Sequence, residues 1–210
     1  MSHIFDFFLE AYKNKPVSFI ALEAIVFVFG ILSVIYAKKE NILVYPTGLV
    51  ATIITVYLLY KAEYFGDMMM NFYYSVMSIY GWWNWSRKKK NIDVLPISRT
   101  NNKEKIIGII LFVITMYVTY LVYQVYDYDL EIPNYIDIVT SGIFFTAMWY
   151  MAIKKLENWT LWIVADIITV PLYAYRGLGM LSLQYLIFTI LAIQGYKEWK
   201  KSLNKKFQTV

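Results

Sequence analysis

The sequence predicts an all-α integral membrane protein with seven transmembrane helices arranged as three, one and three. Three observations carry that prediction. Hydrophobic residues make up 59% of the chain and charged residues only 17%, mean hydropathy is +0.46, and the charges cluster between apolar stretches. Seven apolar segments lie near 17–37, 42–60, 67–86, 105–126, 134–153, 158–175 and 179–197. Each has about the length that crosses a hydrocarbon core, roughly 20 residues. The third observation is an internal repeat relating the first three segments to the last three.

The repeat rests on two matches at an offset of 114 residues. A-T-I-I-T-V at 51–56 matches A-D-I-I-T-V at 165–170, and I-Y-G-W-W-N-W at 79–85 matches I-Q-G-Y-K-E-W at 193–199 as I-x-G-[WY]-x-x-W. A single membrane domain, 1–210, therefore divides into a first three-helix repeat at 17–86 and a second at 134–199. A cytoplasmic loop and linker helix at 87–126 join them, and a basic cytoplasmic tail follows at 200–210. With one helix between the repeats, the fifth segment enters the membrane in the same direction as the first. The repeats are parallel, as in SWEET-type transporters, where the substrate site lies near the midplane between repeats.

Charge placement sets the expected orientation. Of 20 Lys and Arg residues, only Lys13, Lys15, Lys61 and Arg176 fall on one side of the seven-span layout. Positive-inside then puts the N-terminus outside and the C-terminus in the cytoplasm. The same layout explains the net charge of +5 without nucleic acid, because the lysines sit at segment ends. The N-terminal stretch M-S-H-I-F-D-F-F-L-E-A-Y lacks a basic region and reads as a short interfacial segment, not a cleaved signal.

Absences narrow the chemistry. There is no cysteine, and the single histidine is His3, so thiol, Cys-ligated metal and His-based catalytic centres are unavailable. No G-x-x-x-x-G-K-[ST] is present for ATP hydrolysis. An intramembrane aspartyl protease would need a second mid-span aspartate, and Asp137 lies at the outer end of its segment. No cofactor, metal or catalytic residue is expected, and the chain reads as a non-enzyme.

The candidate site centres on N-W-T-L-W-I-V-A-D-I-I-T-V-P-L-Y-A-Y at 158–175. On a helix, Trp162, Asp166, Thr169 and Tyr173 share one face. A mid-span carboxylate costs roughly 2.5–3.5 kcal/mol on insertion scales, so a helix carrying one turns it toward a cavity, ion or ligand. The alternative is a structural carboxylate satisfied by a neighbouring helix, for instance by Thr52 at the equivalent repeat position. Trp162 can stack on a heteroaromatic ring, more strongly if that ring is cationic, or simply pack. Asn71 and Gln184 can bind polar ligand edges or cross-link helices. Tyr74, Ser75 and Ser78 share the face of Asn71. Glu23 is a weaker second carboxylate nearer the outer end. Trp82, Trp85 and Trp199 stand beside basic residues and read as an aromatic belt. Pro46, Gly48 and Pro171 are possible helix interruptions. No Lys or Arg lies deep within a segment, which disfavours a phosphorylated substrate.

Three stretches carry a family resemblance: I-Y-G-W-W-N-W-S-R at 79–87, E-N-W-T-L-W-I-V-A-D at 157–166, and 177–199, which ends in I-Q-G-Y-K-E-W. Together they resemble the PnuC family of bacterial vitamin transporters, whose best-known members carry nicotinamide riboside. The resemblance implies seven core helices in two SWEET-like halves in the bacterial inner membrane. It also implies facilitated diffusion by alternating access, with a cytoplasmic kinase trapping the substrate. Nicotinamide riboside carriers often show W-x-x-x-N where this chain has Trp162-x-x-x-Asp166, so thiamine or another B vitamin is the alternative substrate. A sensor or scaffold without flux remains a reading from another class, and a homo-oligomer stays open.

The charge pattern makes a direct prediction about topology. A reporter active only in the cytoplasm should be active when fused after Lys206 and silent when inserted between Asp127 and Pro133. The reverse pattern would overturn the orientation.

Overall fold

In the computed structural model, residues 16–61, 65–89, 92–93, 95–126, 130–176 and 178–208 are described. The expected interfacial segment at the N-terminus lies outside them. Among the described residues there are seven helices: α1 Val17–Lys38, α2 Val44–Lys61, α3 Phe65–Ser86, α4 Asn102–Tyr126, α5 Ile132–Ala152, α6 Glu157–Tyr175 and α7 Gly179–Gln208. A two-residue hairpin, β1 Lys88–Lys89 with β2 Ile92–Asp93, stands between α3 and α4.

Four of the helices, α1, α2, α4 and α7, are long and apolar enough to cross a membrane on composition alone. The other three are of spanning length at 22, 21 and 19 residues, but they carry the polar side chains of the interior. Ser75, Ser78 and Asn84 on α3, Thr140 and Thr146 on α5, and Asn158, Asp166 and Thr169 on α6 are all buried. Their lipid-facing positions remain apolar, as with Val164 and Ile167 on α6. Turning polar groups inward is what lets such helices sit in hydrocarbon.

Within the first half α2 packs on α1 and α3, and within the second α6 packs on α5 and α7. The halves meet through α1 against α7 and α3 against α5. The linker helix α4 lies along α5. A capping box starts α4, with Glu104 N–H donating to Asn101 Oδ1 at 2.9 Å and Asn101 N–H to Glu104 Oε2 at 2.8 Å. The linker ahead of it docks on the α5–α6 turn, where Ser98 N–H donates to Lys154 O and Leu156 N–H to Ser98 O.

The two halves superpose in detail at the basic end of the bundle, and the 114-residue offset relates every partner. α1 and α5 stop in the same way, with the N–H of Asn41 donating to Tyr36 O and that of Lys155 to Tyr150 O. Both are Schellman closures, and each places a non-glycine residue in the left-handed region, Glu40 at φ 55° and Lys154 at φ 52°. Tyr45 packs edge-on against Trp85 at 5.1 Å, as Trp159 does against Trp199 at 5.5 Å. Trp85 and Trp199 then lie 6.0 Å apart across the pseudo-axis. Each indole crosses it: Trp85 Nε1 donates to Met151 O at 3.3 Å, and Trp199 Nε1 to Ala37 O at 3.0 Å.

This corrects the aromatic-belt expectation for two of the three tryptophans. Trp85 and Trp199 are 5% and 1% exposed and form the core of the basic end, whereas Trp82 is exposed. The proline positions do not break helices either. Pro46 and Gly48 fall near the start of α2, where a missing N–H costs little, and α6 runs continuously through Pro171. Beyond the expected end near 197, α7 continues to Gln208, with Leu203 buried.

Glycine permits the tight ring packing. A Cβ on Gly81 would lie 2.5 Å from Tyr45 Cζ, and one on Gly195 would lie 2.7 Å from the Trp159 ring. Gly81→Ala and Gly195→Ala should each destabilise by about 1–3 kcal/mol, the usual cost of overpacking. Gly48→Ala, which would meet nothing closer than Ser33 Oγ at 3.1 Å, should cost less. Thermal midpoints of the three purified variants check the ranking.

Candidate substrate site

The inward face of α6 is the one expected from its spacing. Asp166 is 2% exposed and Thr169 3%, with Trp162 and Tyr173 half-buried on the same side. Thr169 is satisfied within its own helix, donating to Ala165 O at 2.8 Å. Asp166 differs: its Oδ1 is buried without a hydrogen-bond partner in the protein. The three other buried polar atoms in that condition among the described residues, on Tyr45, Asn158 and Trp159, belong to the basic end. Thr52, the repeat equivalent of Asp166, is engaged within its own half, where Ser75 Oγ donates to it at 2.8 Å.

Around Trp162 the structure gathers rings from four helices. Tyr74 of α3 lies 6.4 Å from Trp162 and Phe144 of α5 lies 5.4 Å from it. Phe144 continues to Tyr185 of α7 at 5.9 Å, and Tyr185 to Tyr173 of α6 at 5.2 Å. Behind Tyr74, Tyr73 stacks on Phe145 at 3.6 Å and donates its hydroxyl to Phe145 O at 3.1 Å, which fixes α3 against α5. Tyr74, Trp162 and Tyr173 are thus members of one aromatic enclosure that both halves contribute to.

The remaining candidates take different places. Asn71 is one turn from Tyr74 on the half-buried face of α3, above Ser75 and Ser78. Gln184 is buried on α7 but faces α1, its Nε2 3.2 Å from where a Gly30 Cβ would stand. Glu23 is half-buried on α1, seven residues and about 10 Å along the axis from Gly30. Its repeat equivalent Asp137 is an end-of-helix anchor, paired with Arg176 at 2.6 Å and accepting from Tyr123 at 2.9 Å. Glu23 therefore belongs to the end of the bundle, apart from the rings.

Phe144 and Tyr185 escaped the sequence reading. The repeat held a signal for the second, since the 114-residue offset maps Asn71 onto Tyr185 and Tyr74 onto Phe188, and Tyr185 packs on Phe188 at 5.8 Å. The exposed hollow of about 430 Å³ between Lys197 and Lys205 lies on the solvated part of α7, away from Asp166, and offers only lysines and Asn204.

An apolar-walled enclosure with one orphaned carboxylate oxygen fits a small aromatic solute that offers a hydrogen-bond donor or positive charge. The family model for nicotinamide mononucleotide transporters matches residues 20–201. The chain belongs to the nicotinamide mononucleotide transporter family. It is a multi-pass membrane transporter, not an enzyme. Relatives include the nicotinamide riboside transporter PnuC of Escherichia coli (strain K12), 22% identical over 88% of this chain and 87% of that one. The PnuC of Neisseria mucosa is 27% identical over 89% and 80%. A crystal structure of the vitamin B3 transporter PnuC shares the fold, with a TM-score of 0.69 at 23% identity over 88% of this chain and 82% of that chain.

The orphaned oxygen separates a ligand contact from a structural role. Asp166→Asn should stay monodisperse with an unchanged or higher thermal midpoint, because it removes a charge that is costly in hydrocarbon at nearly constant volume. A midpoint several degrees lower would show that the carboxylate holds the helices together.

Proposed function

We propose that this transporter carries nicotinamide riboside across a bacterial inner membrane by facilitated diffusion. The observation that carries the reading is Asp166 Oδ1, buried and unpartnered one turn from Trp162. Trp162, with Tyr74 and Phe144 beside it, stacks on the cationic pyridinium ring. Asp166 accepts from the carboxamide NH2. Tyr173 and Asn71 bind ribose hydroxyls and other polar edges as the halves close on the solute, while Gln184 packs between the halves against Gly30. Glu23 has at most a role in entry from outside. The names of the relatives support this substrate. The riboside fits better than the mononucleotide of the family description, because a phosphate would meet Asp166, and Arg176, the cation beside Tyr173, is already paired with Asp137.

Transport runs by alternating access, the two three-helix halves rocking about the midplane. The N-terminus lies outside and the C-terminus inside. A cytoplasmic kinase phosphorylates the vitamin and thereby holds the gradient. Thiamine is the second reading, and the carboxylate itself favours it. Asp166 only accepts, and the thiamine aminopyrimidine donates.

Calorimetry with both vitamins on wild type and Asp166→Asn tests the assignment. Nicotinamide riboside should bind the wild type, and the variant should hold it several-fold more tightly, because an amide both accepts from and donates to the carboxamide. Thiamine, if it binds the wild type, should weaken about tenfold in the variant, the loss of one charge-assisted bond. Identical affinities for every ligand in both proteins would remove Asp166 from the site. In vesicles, labelled substrate should only equilibrate unless kinase and ATP are enclosed. Accumulation driven by a proton or sodium gradient alone would refute passive transport.

A further inference from the structure

The strongest unexplained feature is the pair that closes the basic end. Glu40 and Lys154 are equivalent positions of the two repeats, and they meet each other: Lys154 Nζ lies 2.8 Å from Glu40 Oε1. On a two-fold axis a residue meets its own copy, so like charges there would repel. Here the two copies carry opposite charge. Both residues sit in the left-handed backbone region, a placement that disfavours side chains other than glycine. Lys154 is 2% exposed and also lies over the Trp85 ring at 4.6 Å. Its side chain on the second half thus grips the first half twice, after α1 and at the end of α3. The same layer holds the reciprocal indole bonds from Trp85 to Met151 and from Trp199 to Ala37.

We infer that Glu40 and Lys154 are the gating residues of the cytoplasmic side, latched in this conformation. The inference rests on the reading of the chain as a transporter whose halves rock. The ion pair and both indole bonds run between halves, so none of the three survives their separation, and each can re-form only when the axis closes again. At the opposite end the ion pair of Arg176 with Asp137 lies within the second half. Rocking that opens the cytoplasmic side must therefore part Glu40 from Lys154, and weakening the pair must shift the population toward that open state.

The chain has no cysteine, so Met148→Cys supplies a single reporter. Met148 is buried in the cluster between the halves, one turn inside Met151. Inside-out vesicles without any vitamin are treated with a membrane-impermeant maleimide. The reporter should label slowly in the wild-type background and about tenfold faster with Lys154→Met or Glu40→Gln. Glu40 is the milder site to neutralise, since its side chain is 31% exposed. The exchanged pair, Glu40→Lys with Lys154→Glu, should return labelling to the slow rate. The pseudo-axis would bring Lys at 40 over Trp199 as it now brings Lys154 over Trp85. Wild-type labelling in Glu40→Gln, or fast labelling in the exchanged pair, would overturn the latch. Because no substrate is present, this result is independent of vitamin identity. Failure of nicotinamide riboside to bind a wild type whose gate responds as described would refute the substrate and leave the latch standing.

Discussion

The fold depends on how two halves meet at one end of a pseudo-two-fold axis. Hydrocarbon provides no hydrophobic force between helices, so packing and buried hydrogen bonds must hold them. Here Trp85 and Trp199 do both. Each ring packs edge-on against an aromatic of its own half, an arrangement worth about 0.5–1.5 kcal/mol beyond burial, and each N–H reaches a carbonyl of the other half. Those carbonyls, of Ala37 and Met151, belong to the last turns of α1 and α5 and already accept from the N–H of Glu40 and Lys154. Each indole therefore takes the second lone pair of a carbonyl that closes its helix.

This geometry also explains the unequal treatment of the two ends of the bundle. At the basic end the halves are tied to each other by indoles, by Lys154 with Glu40, and by Lys38 with Gln194 of α7. The linker adds a further tie, since Lys155 pairs with Glu104 at 2.7 Å and Thr100 N–H donates to Glu157. Toward the middle the inter-half contacts become mainly aromatic, with the Tyr73 hydroxyl on Phe145 O as a remaining hydrogen bond. Tyr74, Trp162, Phe144 and Tyr185 touch through ring faces and edges, which can part around a flat solute without leaving buried polar groups unpaired. Asp166 is the exception: among the described residues its Oδ1 is the one buried polar atom of that region without a hydrogen-bond partner.

Duplication gives the two halves one backbone plan with different chemistry at matching positions. Thr52 and Asp166 are equivalent, yet the threonine is satisfied by Ser75 of its own half and the aspartate keeps one oxygen, Oδ1, without a partner. Glu23 and Asp137 are equivalent, and Asp137 is bound by Arg176 and Tyr123. The polar demand is thus concentrated in the second half, on α6, while the first half supplies Tyr74 and the face of α3. A single asymmetric solute between pseudo-symmetric halves needs such a division of roles.

The sequence by itself determined the seven helices, their three-one-three order, the parallel repeat and the inward face of α6. Those are local properties: the length of an apolar run, the charges at its ends, and the 3.6-residue spacing of Trp162, Asp166, Thr169 and Tyr173. Only the tertiary structure decided which tryptophans face lipid. Trp82 and Trp85 stand three residues apart beside the same basic run, and only their rotation about α3 separates an exposed ring from a core one. It also decided that Phe144 and Tyr185 join the enclosure, that Gln184 turns toward α1, and that Glu40 meets Lys154. Each of those depends on where a pseudo-axis passes between residues far apart in the chain. Packing of one half on the other sets that position, and no local pattern records it.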